Sequence, residues 1–159
     1  MNAQQGKELD ILEVPYRHTA EYLYSYGELS KFFKEIIQNK ILYATKCPKC
    51  HKVWMPPRGH CPDCYVTTEW VPLSGKGTVE SAAYCFHAVG VRVADALGDL
   101  PFVLSIIKLD GADTGFLHGV KPKEAKIGGI TVGTRVKVVF QEERTGTIAD
   151  FYFVIDDGS

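Results

Sequence analysis

CPKCHKVWMPPRGHCPDC, residues 47–64, constrains this chain more than any other stretch, because it sets two Cys-Pro-x-Cys pairs ten residues apart. Two residues between cysteines let a tight turn aim both thiolates at one ion, and a second such turn completes a tetrahedron. Pro48 and Pro62 sit at equivalent places in the two pairs, where a fixed φ favours the turn. The spacing therefore predicts one closed metal site with Cys47, Cys50, Cys61 and Cys64 as ligands. Zinc is expected ahead of iron, although both metals accept four thiolates.

Two rival chemistries start from the same cysteines. The first pair runs into His51, and Cys-x-x-Cys-His can attach haem, but that leaves Cys61 and Cys64 unexplained. A redox Cys-x-x-Cys normally stands alone on a βαβ pattern, which is missing here. His51 and His60 could replace a thiolate but are expected at the knuckle surface. A site closed by four thiolates has no open position, so it orders a segment too small to build its own core.

Residues 1–40 read as a polar tail followed by helices, 41–75 as the metal-bearing ribbon, and 76–159 as a β unit. PYRHTAEYLYSYG predicts a short helix over Tyr16–Tyr26, stopped by Gly27. In ELSKFFKEIIQNK, Leu29, Phe32, Phe33, Ile36 and Ile37 recur at helical period, opposite Lys31, Lys34, Glu35 and Gln38. That stripe must be buried, on the chain's own body or on a partner. ILYAT and EWVPL bracket the cysteines as the strands of a small ribbon would.

Beyond Gly75 come five β-like runs: GTVESAAYCF, PFVLSIIKL, TGFLHGV, TRVKVVFQ and ADFYFVI. A turn of helix is allowed at Pro122–Lys126, before the fourth. This order predicts a small closed barrel of the OB type, with a sandwich fragment as the competitor. The fold class expected is mainly β, with an N-terminal helical hairpin, a rubredoxin-like ribbon and a five-stranded barrel.

No complete catalytic constellation emerges. Cys85 and His87 share one face of a strand, the raw material of a nucleophile, but a lone strand cysteine is commonly a small buried apolar residue. His118 has no evident partner. LDGADTG at 109–115 and GGITVG at 128–133 read as loops. Aromatic residues Phe86, Phe116, Phe140, Phe151, Tyr152 and Phe153 could stack bases on an OB barrel, which makes a single-stranded nucleic-acid binder the alternative function. Charge argues against it. The net charge is -1; residues 1–75 carry nine Lys/Arg against eight Asp/Glu, and residues 76–159 nine against eleven. A backbone-gripping protein carries a basic excess. No run approaches the ~18 apolar residues of a membrane helix, and MNAQQGKELDILEVP lacks the parts of a signal peptide. The cytoplasm is the expected address.

The order of parts adds information. YLYSYGELSKFF precedes TKCPKCHKVWMPPRGHCPDC, then EWVPLSGKGTVESA, then PFVLSIIKLDGADTGFLHGV. From about Tyr22 to Phe153 this resembles the zinc-ribbon OB-fold family of acyl-CoA metabolism, the small companions of thiolase-like enzymes. Its marks are Tyr-Ser-x-Gly-x-x-Ser-x-Phe-Phe, Pro-Pro-Arg before the second knuckle, Trp70, and Gly-Lys-Gly-Thr-Val at the barrel entry. The resemblance implies a structural zinc on Cys47, Cys50, Cys61 and Cys64 and no catalytic residue. It also implies a thiolase-fold catalytic subunit as partner, in a thiolase, hydroxymethylglutaryl-CoA synthase, acyltransferase or aldolase complex. A benzoylsuccinyl-CoA-type thiolase is one such partner. The helices at 16–39 are expected to dock on it, with the barrel face as the other option. Lys52 and Arg58 are the expected CoA contacts, on charge alone.

Overall fold

Helix α1, Ser30–Asn39, is the only α-helix longer than one turn among the described residues, which in this computed structural model are 12–87, 97–98, 101–123 and 127–158. A single 3-10 turn at Gly27–Leu29 leads into it. The apolar stripe explains both its formation and its place. Phe32 and Ile36 are buried and Phe33 is half-buried, with Phe32 edge-on to Phe151 of the barrel at 6.5 Å. Full burial of such side chains is worth about 1.5–3 kcal/mol each. Of the two destinations for the stripe, the chain's own body is the one found.

The C-terminus of α1 is held from far away in sequence. Arg144 donates from Nε and Nη2 to the Ile37 carbonyl, at 3.1 and 3.0 Å, and from Nη1 to the carbonyls of Gln141 and Glu142. One guanidinium thus satisfies a carbonyl orphaned at the helix end and pins it to the loop before the last strand. The helix expected over Tyr16–Tyr26 is absent. Residues 12–26 have no regular structure, so a helical hairpin gives way to one helix and an extended arm. Gly27 nevertheless takes the left-handed conformation expected of it, φ 57°.

Strands β1 (Leu42–Lys46), β2 (Val53–Trp54) and β3 (Glu69–Leu73) form an antiparallel sheet in the order β2-β1-β3. The runs ILYAT and EWVPL supply β1 and β3, whose register pairs Leu42 with Leu73 and Lys46 with Glu69.

Five further strands close into a barrel: β4 (Lys76–Cys85), β5 (Phe102–Leu109), β6 (Gly115–Lys121), β7 (Arg135–Phe140) and β8 (Phe151–Ile155). Their order is β4-β5-β6-β8-β7, with β6 and β8 parallel and every other neighbour antiparallel. Closure between β4 and β7 excludes the sandwich fragment. Strand β4 serves two neighbours because a bulge at Val79/Ser81 bends it. Gly77 makes the crossing possible, since a Cβ there would sit 2.6 Å from the Lys108 carbonyl. Pro122 and Lys123 are not helical, and the rest of the helical turn expected at Pro122–Lys126 lies outside the described residues.

Candidate metal centre

The ribbon brings the four predicted ligands together. The sulfurs of Cys47, Cys50, Cys61 and Cys64 all lie within 4.8 Å of one another, which is the donor set of one tetrahedral ion. Each pair sits on its own knuckle, and the two knuckles repeat one pattern of backbone bonds. Cys47 N–H donates to the Lys52 carbonyl and Cys61 N–H to the Val66 carbonyl, at 3.0 and 2.9 Å. His51 N–H returns to Cys47 and Tyr65 N–H to Cys61, at 2.9 and 2.8 Å. The residue after the second cysteine is left-handed in both, with φ 64° at His51 and φ 57° at Tyr65. His51 is therefore a turn residue in the place Tyr65 takes on the other side, and His60 is exposed.

Amides of Lys49 and Cys50 approach the Cys47 sulfur at 3.4 Å. Burial raises the Cys47 thiol, but these two amides outweigh it and bring the group down to about 6. Burial and the neighbouring thiols push Cys64 the other way, to about 12. Four adjacent thiols ionise unequally because each thiolate opposes the next. A bound divalent cation removes that conflict, since a coordinating thiol is deprotonated outright. The donor set fits a structural metal.

Trp54 roofs this centre, packing on Cys47 and Cys61. Its Nε1 is buried without a hydrogen-bond partner among the described residues. Lys52 and Arg58 both lie over the indole ring, at 4.2 and 5.3 Å from its centroid, and Lys52 also reaches Asp63 at 3.4 Å. The two basic residues singled out from charge are thus brought together by one aromatic surface. Lys52 also lines a shallow depression with Cys50, His51 and Asp113.

Sequence reasoning missed what joins ribbon to barrel. The loop LDGADTG is a hairpin turn between β5 and β6, and its tip reaches β2 some 60 residues earlier. Asp113 accepts from Val53 N–H at 2.7 Å and returns its own N–H to the Val53 carbonyl at 2.9 Å. Thr114 Oγ1 accepts from Met55 N–H and donates to the Met55 carbonyl, both at 2.8 Å. Asp110 is engaged by Arg135 through both guanidinium nitrogens, and this hydrogen bond holds the carboxyl below its usual range.

The other titratable candidates are built into packing. Cys85 lies against Leu97 and Phe102, and His87 is exposed beyond the strand end. His118 is buried inside the barrel and stacks on Phe151 at 4.3 Å. Its Nδ1 accepts from Gly119 N–H at 2.8 Å and its Nε2 donates to the Ile148 carbonyl at 3.1 Å. Burial pushes the imidazole down to about 4, against the opposing pull of those two bonds. Asp150 went unnoticed in the sequence, although Thr147-x-x-Asp150 is a capping-box spacing. It is buried and gathers the amides of Thr145, Gly146 and Thr147 at 2.6–3.1 Å. In GGITVG, Tyr84 Oη accepts the amides of Gly128 and Ile130, so that loop is tied to the barrel. Of the six aromatics that could stack bases, Phe116, Phe151 and Phe153 are core.

A four-cysteine ribbon joined to a closed five-stranded barrel defines a zinc-ribbon OB-fold protein. Two adjoining family models match the sequence: the ChsH2 rubredoxin-like zinc ribbon domain over residues 38–69 and the ChsH2 C-terminal OB-fold domain over residues 70–141. The chain belongs to the ChsH2 family. Among solved structures, it is similar to one described as an Ltp2-ChsH2(DUF35) aldolase, with 20% identity and a TM-score of 0.57 over 79% of this chain and 91% of that one. It is also similar to a DUF35-family protein of unknown function from Sulfolobus solfataricus, with 18% identity and a TM-score of 0.55 over 79% and 83%. At these identities the likeness is one of fold. No curated protein matches the sequence significantly.

Proposed function

We propose that this chain is a non-catalytic accessory subunit of an acyl-CoA enzyme that makes or breaks carbon–carbon bonds, with a thiolase-fold protein as the catalytic partner. A benzoylsuccinyl-CoA-type thiolase is one member of that class. The observation that carries the proposal is the chain's membership in the ChsH2 family, one of whose structures is described as an aldolase with Ltp2. The chemistry of the described residues supports it. His118 spends both ring nitrogens on backbone groups, and Cys85 packs as a small apolar side chain.

Zinc is the proposed ion, held by Cys47, Cys50, Cys61 and Cys64. Its role is to fix the ribbon, and through the Asp113–Val53 and Thr114–Met55 bonds to fix the ribbon's orientation on the barrel. No helix among the described residues is long and apolar enough to cross a membrane. The cytoplasm, where thiols stay reduced, is the proposed setting. Lys52 and Arg58 are the proposed contacts for the phosphates of CoA at the subunit interface. Their shared place over Trp54 supports this, since two cations held close suit a diphosphate better than two scattered ones.

The test is acyl-CoA turnover by the purified complex, compared with the partner alone and with a complex carrying Lys52→Ala and Arg58→Ala. Higher turnover with this subunit and a raised KM for acyl-CoA in the double variant are expected. Equal turnover with and without the subunit would contradict the accessory role, and an unchanged KM would remove the two residues from CoA binding.

A further inference from the structure

The extended arm, residues 12–26, presents more apolar surface than any other part of the molecule. Tyr16, Tyr22, Leu23 and Tyr24 are 86%, 81%, 105% and 65% exposed, and Leu12 and Val14 are 87% and 72% exposed. Singly, an exposed apolar residue means nothing; a contiguous run of them marks an interaction site.

The order of these residues says what the arm would form. Wound at 3.6 residues per turn, Arg17, Glu21 and Ser25 fall at i, i+4 and i+8 down one side, with His18 beside them. Tyr16, Ala20, Tyr22, Leu23, Tyr24 and Tyr26 cover the rest. Every strongly polar residue of 16–26 is on one stripe. Gly27 already has φ 57°, the left-handed conformation that follows a helix C-terminus. The joint is thus set for a helix ending at Tyr26, although no helix precedes it.

The arm stays unwound in the lone chain for two reasons. A helix of this length is marginal in water without a surface to bury its apolar side. The neighbouring place on the barrel belongs to α1, with Phe32 and Ile36 buried there and Tyr26 stacked on Phe33 at 4.1 Å.

We infer that residues 16–26 fold into an amphipathic helix on the catalytic partner, laying Tyr16, Leu23 and Tyr24 into an apolar groove of that subunit. The inference rests on the accessory role proposed above. The polar stripe holds one base and one acid, Arg17 and Glu21, which suits a protein groove; an anionic lipid surface would ask for a basic stripe.

The test uses the tagged full chain in its native host. Tyr16→Ser, Tyr22→Ser and Leu23→Asp together should cut the recovered partner at least tenfold, while the free variant keeps the wild-type circular dichroism and melting temperature. A barrel-face variant, Ile106→Ser with Leu117→Ser, should retain the partner. Hydrogen exchange should slow at residues 17–26 in the wild-type complex relative to the free chain. Full recovery of the partner by the arm variant overturns the inference, as does wild-type arm binding to anionic vesicles with the partner retained regardless. A wild-type chain that brings down no acyl-CoA enzyme overturns the functional proposal itself, which separates the two failures.

Discussion

His118 gives a pH dependence whose size follows from its setting. The imidazole is stacked among Phe116, Phe151 and Phe153 inside the barrel, and burial is what lowers it from 6.5 to about 4. Above pH 6.5 the folded and unfolded chains both hold it neutral, and the residue adds no pH dependence. Below that the unfolded chain takes up a proton that the folded chain refuses. Stability is then lost as pH falls, until the folded group also protonates near 4. At 1.36 kcal/mol per pH unit across that window, the loss from this one residue approaches ~3 kcal/mol. His118→Leu separates this from every other acid effect, including proton competition at the metal site. At pH 7 the variant leaves Gly119 N–H and the Ile148 carbonyl without partners, at a cost of about 1–3 kcal/mol each. The assay is urea unfolding of both proteins, with zinc present, from pH 7.5 to 4.5. The stability gap between them should narrow steadily below pH 6.5. A gap that stays constant over that range would refute a buried neutral His118.

Three further outcomes are expected. The purified chain should carry one zinc, and a strong chelator should abolish hydrogen-exchange protection in β1–β3; a metal-free chain with the ribbon intact would contradict a site that supplies on the order of 10–16 kcal/mol. Arg144→Ala should cost about 1.5–3 kcal/mol, the range for hydrogen bonds to a charged group, and speed exchange across α1, read by denaturation and by exchange at 30–39. Asp113→Ala with Thr114→Val should raise exchange at the Val53 and Met55 amides and quicken zinc loss to chelator, because β2 then loses its outside anchor.

The parts of this molecule that sequence discloses are those governed by short-range spacing. Two Cys-x-x-Cys pairs can meet only if each knuckle closes on itself, and the period of Leu29 to Ile37 needs only a helix to bring Phe32 and Ile36 to one side. The barrel strands were legible for the same reason, as alternating apolar runs between Gly and Asp turns. What stayed hidden depends on partners distant in the chain. Nothing near Arg144 announces that it closes the end of a helix 107 residues earlier, and nothing in LDGADTG points to β2. Residues 16–26 failed differently. Their pattern is helical, but a pattern becomes a helix only where its apolar side is buried, and this chain offers no surface for it.

The accessory role is tested most directly by tagging this chain in its native host, purifying it at moderate salt and identifying what comes with it. The account predicts a thiolase-fold protein in near-equal amount. Nuclease-sensitive RNA or DNA with no protein partner would contradict it, and would mean that the barrel binds single strands despite its balance of charge.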